Sequence, residues 1–161
     1  MDPVVLSMIV ETVVTLILVV AFAVLMKKLL ARATSAVTPD GRVIPSAGSW
    51  SALEAHFATT TPLADPVARA ASIMVGRGTW KNCVAIGVEP AGLHLAIRIP
   101  ILGSFGKKPV LIPWDEIVES APSRLYWGPA RRLVIGRPTI ATVTLTESIF
   151  ETILARGHLA R

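Results

Sequence analysis

The chain has one cysteine, one tyrosine, and aromatic side chains at only 6% of its positions. A lone Cys83 excludes an intramolecular disulfide and any zinc site built on paired cysteines. It also fits a reducing compartment. Acid is scarce: 11 Asp and Glu stand against 16 Lys and Arg, for a formal net charge of +5. The three histidines, His56, His94 and His158, are scattered. None lies beside a G-x-S-x-G nucleophile turn or in an H-E-x-x-H pair. Gly76-Arg77-Gly78 is a bare G-x-G without the following helix that a phosphate loop needs, so it reads as a bulge or turn. No helix-turn-helix, zinc finger or RNA-binding aromatic motif accompanies the basic excess. Nucleic acid is therefore not an expected partner. An anionic membrane leaflet is. No enzyme class and no cofactor is read from these residues.

What the chain does have is a long apolar run, Pro3 to Met26, broken only by Ser7, Glu11, Thr12 and Thr15. As a helix at 1.5 Å per residue it would extend roughly 36 Å, enough to cross a hydrocarbon core of about 30 Å with some tilt. Only a helix satisfies its backbone alone in lipid. A signal peptide would carry its positive charge ahead of the run, whereas here Lys27, Lys28 and Arg32 follow it. The run is read as a retained single-pass anchor over 3–26. Basic flanks stay on the cytoplasmic side, so the expected placement is the bacterial inner membrane, N-terminus periplasmic and the rest cytoplasmic. Glu11 is costly inside such a helix unless it snorkels, protonates or is paired. Two readings stand: contact with a second membrane helix, in which Thr15 would share the face, or a carboxylate reaching the outer headgroups.

Residues 27–48 gain Pro, Gly, Ser and Thr and read as a linker. Residues 49–58 (SWSALEAHFA) read as a short helix capped by Ser49 or Ser51, with Glu54 at capping-box spacing from Ser51. Period-two patterning then predicts strands at about 70–80, 82–88, 93–101, 109–113, 132–137 and 139–145. Glu89-Pro90-Ala91-Gly92 is a hairpin turn. The stretch 146–156 (TESIFETILAR) closes the domain as an amphipathic helix, with Thr146 as N-cap and Gly157 as C-cap. The domain is taken as 49–157, with a tail at 158–161.

The segment Pro109-Val-Leu-Ile-Pro113-Trp114-Asp115-Glu116-Ile117, the strands Leu133 to Arg137 and Ile140 to Leu145, and the helix after them resemble a pleckstrin-homology or GRAM-like domain. The Gly92-Leu93-His94-Leu95 hairpin fits the same pattern. The whole resembles small bacterial membrane proteins with one N-terminal helix and such a domain. The resemblance implies an α+β fold: an antiparallel sheet or partly open barrel of six to seven strands capped by a C-terminal helix.

Two basic and aromatic loops are the candidate contact sites. Phe105, Lys107 and Lys108 sit on a glycine-rich loop; with Lys27 and Lys28 they are candidate lipid contacts, or else Phe105 folds inward. Residues 124–132 read as a loop in which Arg124, Tyr126, Trp127, Arg131 and Arg132 are candidate partner contacts, the residue types enriched at binding hot spots. The alternative is that the aromatics tuck into the core. Asp115, Glu116 and Glu119 read as a solvated acidic loop rather than an acid–base pair. Together these features predict a non-catalytic, membrane-anchored interaction module, an accessory subunit of an integral membrane complex. The alternative is a peripheral sensor of anionic lipid or a small anionic ligand.

Overall fold

A computed structural model describes residues 12–22, 24, 41–99 and 106–156, and residues 36–37 by backbone alone. The chain forms two compact units, Met1–Thr34 and Ser35–Arg161. In the first, helix α1 is described over 12–22 and is apolar on every side: Val13, Val14, Leu16, Ile17, Leu18, Val19, Val20 and Phe22 are all exposed. Among the described residues no helix is long and apolar enough to cross a membrane, so the expected span over 3–26 is not shown. Most of that span, with Glu11, Lys27 and Lys28, lies outside the described residues.

The second unit is a small α+β domain. Its strands are β1 (Ala36–Val37), β2 (Val43–Ile44), β3 (Pro66–Val75), β4 (Gly78–Glu89), β5 (Gly92–Ile97), β6 (Val110–Pro113), β7 (Ile117–Leu125), β8 (Gly128–Ile135) and β9 (Ala141–Thr146). Its helices are α2 (Trp50–Phe57) and α3 (Glu147–Ala155). Seven strands form one antiparallel sheet in the order β6-β5-β4-β3-β9-β8-β7. It is two meanders, β3 to β6 and β7 to β9, joined where β3 meets β9 at only two residue pairs, Met74↔Thr144 and Val75↔Val143. Register shifts along β3 curl the sheet into a half-barrel. Asn82, at φ 52°, locks one of these irregularities through hydrogen bonds with the Ser72 hydroxyl.

Alternation sorts the strands. Leu93, Leu95 and Ile97 of β5 face the core with Val84 and Ile86 of β4, Leu133 and Ile135 of β8, and Val143 and Leu145 of β9. Phe150 and Ile153 of α3 and Trp50 and Leu53 of α2 complete this cluster. On the outer face, Leu63 packs over Ala85 and Ala96. Gly87 makes this possible, because a Cβ there would collide with the Leu63 side chain.

Three expectations are refined. Of the expected six to seven strands the sheet has seven, and the one beyond the six read from patterning is Ile117–Leu125, an edge strand that pairs with β8 from Ile117↔Ile135 to Leu125↔Gly128. Pro122 hides this strand from propensity, yet an edge tolerates proline because one side needs no ladder donor. The linker is not free to residue 48. Ile44 packs with Ala121 and Val134, Arg42 is bidentate on Glu119 at 2.7 Å, and Thr142 donates its N–H to the Ala47 carbonyl at 2.9 Å. A Cβ on Gly76, in the β3–β4 turn, would strike the Gly48 carbonyl, so the strap and that turn are in close contact. The caps also differ in detail. Ser49 caps α2 by accepting from the Ala52 N–H at 3.3 Å, and Glu54 is engaged elsewhere instead of closing a box with Ser51. Thr146 sits at the N-cap of α3, but its hydroxyl meets the Ser148 hydroxyl at 3.2 Å rather than a backbone N–H.

Candidate functional site

The 124–132 stretch is not a loop. Strand pairing runs from Arg124↔Pro129 to Leu125↔Gly128, leaving Tyr126 and Trp127 alone as a two-residue turn. Leu125 is buried in a small cluster with Met74 and Ala130, which anchors the base of the hairpin to β3. From that base the two aromatics project outward. Trp127 is 88% exposed and Tyr126 44% exposed. The alternative in which they tuck into the core is excluded by this placement. Tyr126 takes a left-handed backbone, φ 55°, which few non-glycine residues adopt. Lys81 of β4 reaches over the Tyr126 ring, its Nζ 5.8 Å from the centroid. Arg124 is exposed beside it.

The other two arginines belong to the framework. Arg131 bonds Glu147 through Nε at 2.9 Å and lies 5.2 Å from the Phe150 ring centroid, which ties β8 to the first turn of α3. Arg132 is 1% exposed. Its Nε donates to the Thr144 hydroxyl at 3.2 Å and its Nη1 to the Ile44 carbonyl at 2.7 Å, which clamps the strap onto the sheet. Desolvation pulls its pKa down from the ordinary arginine value, though a guanidinium starts so high that it stays protonated at any physiological pH. The expected partner set thus divides: Arg124, Tyr126 and Trp127 gather at the tip, while Arg131 and Arg132 do not.

The second basic loop divides from the first in the same way. Lys107 donates from Nζ to the Ser51 hydroxyl at 3.1 Å and lies 3.7 Å from Glu54. The Lys108 backbone N–H bonds Glu54, and its carbonyl accepts from the Trp50 indole at 3.2 Å. This segment is fastened to α2 rather than held out on a flexible loop. Phe105 lies outside the described residues. Thr15 is on the exposed surface of α1.

Among the described residues the other polar groups lie in small sets apart from one another. Glu119 is held by Arg42, which separates it from Asp115 and Glu116 in the 3-10 turn Trp114–Glu116. A shallow groove of about 370 Å³ lies between that turn and Arg137. A cleft of about 340 Å³ is lined by Ser120, Arg131, Glu147, Phe150, Glu151 and Leu154, and its one cation is the guanidinium already paired with Glu147. His94 is fully buried, with Nδ1 2.6 Å from the Glu89 carboxylate. Its Nε2 has no hydrogen-bond partner among the described residues. His56 is exposed, its Nδ1 2.9 Å from the Ala52 carbonyl and its ring 6.0 Å from that of Phe57. Burial pushes the Cys83 thiol pKa up, which disfavours the nucleophilic thiolate. Among the described residues no three His, Cys, Asp or Glu side chains gather to hold a metal ion.

Sequence reasoning missed Lys81, which falls between the strands expected at 70–80 and 82–88, and the strap contacts of Arg42 and Arg132. Comparison with protein-family models, curated proteins and solved structures finds no match to this chain.

Proposed function

We propose that this chain is a non-catalytic, membrane-anchored interaction module, an accessory or assembly subunit of a larger bacterial inner-membrane complex. Its domain is of the pleckstrin-homology or GRAM-like kind: four strands, then three, then a C-terminal helix, in one curled sheet. The observation that carries the reading is helix α1, whose described residues expose apolar side chains on every side. The domain also leaves Trp127 at 88% exposure while it buries Trp50 to 3%, the placement of a contact residue.

The anchor is the run Pro3 to Met26, with the domain cytoplasmic behind Lys27 and Lys28. In support, α1 exposes apolar side chains on every side, a pattern that in water would be unfavourable and in lipid is ordinary. Glu11 and Thr15 are the proposed contacts with a neighbouring membrane helix.

The test is mild-detergent purification of the full-length protein from its native membrane, beside Glu11→Leu. Stoichiometric recovery with one integral membrane complex is expected, and its loss in the variant places the contact in the bilayer. Recovery of the chain alone from the membrane fraction overturns the subunit reading. Recovery from the soluble fraction overturns the anchor.

The alternative, a sensor that binds anions through Phe105, Lys107 and Lys108, is disfavoured. Lys107 is half-buried and already faces Glu54, and the Lys108 backbone is tied to α2, so of the two lysines only the Lys108 side chain is exposed there.

A further inference from the structure

We propose that the Leu125–Gly128 turn is a bilayer-contact device: Trp127 enters the headgroup region of an anionic leaflet while Lys81 and Arg124 take up lipid phosphates. This deepens the membrane-anchored reading and rests on it, but assigns lipid contact to a different place from the 105–108 loop.

Four observations converge. First, the turn residues are poor choices for a turn. A two-residue hairpin favours Asn or Gly where φ is positive, yet the chain's single tyrosine occupies that position at φ 55°. Unfavourable turn chemistry kept at an exposed point is a mark of use rather than of folding. Second, among the described residues of this unit only Val43, Tyr126 and Trp127 are exposed large hydrophobics, and two of the three are adjacent at this apex. Third, the cations here are uncommitted. Lys81 and Arg124 are exposed and in no ion pair among the described residues, a state shared with Arg69, Arg77, Arg98, Lys108 and Arg137, whereas Arg42, Lys107, Arg131 and Arg156 each face a carboxylate. Lys81 instead lies over Tyr126, which keeps positive charge beside the aromatic tip. Fourth, the shape is a convex point. One tryptophan buries about 150–250 Å², far below the roughly 800 Å² per partner of a stable protein interface. A fluid leaflet closes around a point, whereas a protein partner would need a matching pit. Tryptophan and tyrosine favour the headgroup level, and nearby lysine or arginine favours an anionic leaflet.

The experiment uses the full-length chain in nanodiscs of phosphatidylcholine with or without phosphatidylglycerol, some carrying brominated acyl chains. Trp127 emission is taken as the difference between the wild type and Trp127→Phe. The expected result is bromine quenching of that component in phosphatidylglycerol discs and little in pure phosphatidylcholine. Lys81→Gln and Arg124→Gln should each lower the ratio of quenched to unquenched Trp127 about fivefold, the equivalent of about 1 kcal/mol per cation at an anionic surface. These side chains are exposed, so the variants keep the fold. Solvent-like, acrylamide-accessible Trp127 in phosphatidylglycerol discs overturns the proposal. So does Trp127 that is shielded only when a co-purified protein complex is retained, which would assign the tip to a protein groove. A chain that fails to enter discs at all refutes the anchor instead. The tip is then judged by flotation with phosphatidylglycerol vesicles added from outside: flotation lost in Trp127→Ala supports it, and no flotation overturns it.

Discussion

Two segments of this protein look alike in sequence and behave oppositely in the fold. Phe105-Gly106-Lys107-Lys108 and Arg124-Leu125-Tyr126-Trp127-Gly128 each place cations beside aromatics in a glycine-containing stretch. In the first, Glu54 and the Trp50 indole hold the backbone and one ammonium. In the second, strand pairing closes at Leu125↔Gly128 and leaves the two aromatics as the turn, and among the described residues no carboxylate faces Arg124 or Lys81. What separates a structural basic loop from an exposed one is a carboxylate, in this case more than fifty residues distant along the chain. Composition alone does not reveal it.

Tryptophan substitution sharpens the contrast most. Trp50 packs edge-on against Trp80, with centroids 5.5 Å apart, and donates to the Lys108 carbonyl. Trp50→Ala is expected to cost about 3–5 kcal/mol, and Trp127→Ala less than about 0.5 kcal/mol. Thermal denaturation of the two variants measures both; equal losses would break the distinction between the loops.

Arginine gives the next largest effect. Arg132→Ala leaves the Ile44 carbonyl and Thr144 hydroxyl short of a buried donor, with an expected loss of about 2–4 kcal/mol. Arg124→Ala should leave the melting temperature unchanged, because that side chain is exposed. Denaturant midpoints of the pair decide whether Arg132 is framework and Arg124 is surface.

Removal of the carboxylate should convert one loop into the other. Glu54→Ala is expected to cost about 1 kcal/mol and to raise amide hydrogen exchange at Lys108, whose N–H it accepts. Unchanged exchange there would show that Glu54 does not hold the segment. At the tip the sign reverses. Tyr126→Gly relieves a left-handed tyrosine and should stabilise the domain by up to about 1 kcal/mol, offset by the added freedom of glycine in the unfolded chain. A melting temperature well below wild type would show that Tyr126 is a folding residue after all.

The smallest effect is on pH. The folded Cys83 thiol has a raised pKa, so its neutral form is favoured. Its contribution to stability is present below the unfolded thiol pKa and fades as pH rises through the folded value. Alkylation at neutral pH should therefore be slower than for a free thiol and should accelerate only in the alkaline range.

Much of the sheet was legible because its signal is local. Leu93, Leu95, Ile97 and the Glu89–Gly92 turn declare a hairpin by alternation and turn chemistry within ten residues. So do Ile149, Phe150, Ile153 and Leu154 for the closing helix. Strand β7 was not legible, because its polar residues and Pro122 suit an edge whose position in the sheet is a tertiary fact. Nor was the strap at 42–48, where Pro45, Ser46 and Gly48 read as linker. Its order comes from Arg132 and Thr142, almost a hundred residues later.

The sequence by itself determined the strands and helices whose patterning is local, such as the Glu89–Gly92 hairpin and the closing helix, the apolar run Pro3 to Met26, and which side chains carry contact chemistry. Periodicity and residue type act over a few residues, and that is enough to specify them. The tertiary structure alone decided which of those side chains are spent. Arg131, Arg132, Lys107 and Glu119 meet partners brought close by folding, whereas Trp127 stays 88% exposed. A charge or an aromatic ring is available for binding only if the fold has not already satisfied it, and that depends on contacts between residues far apart in the chain.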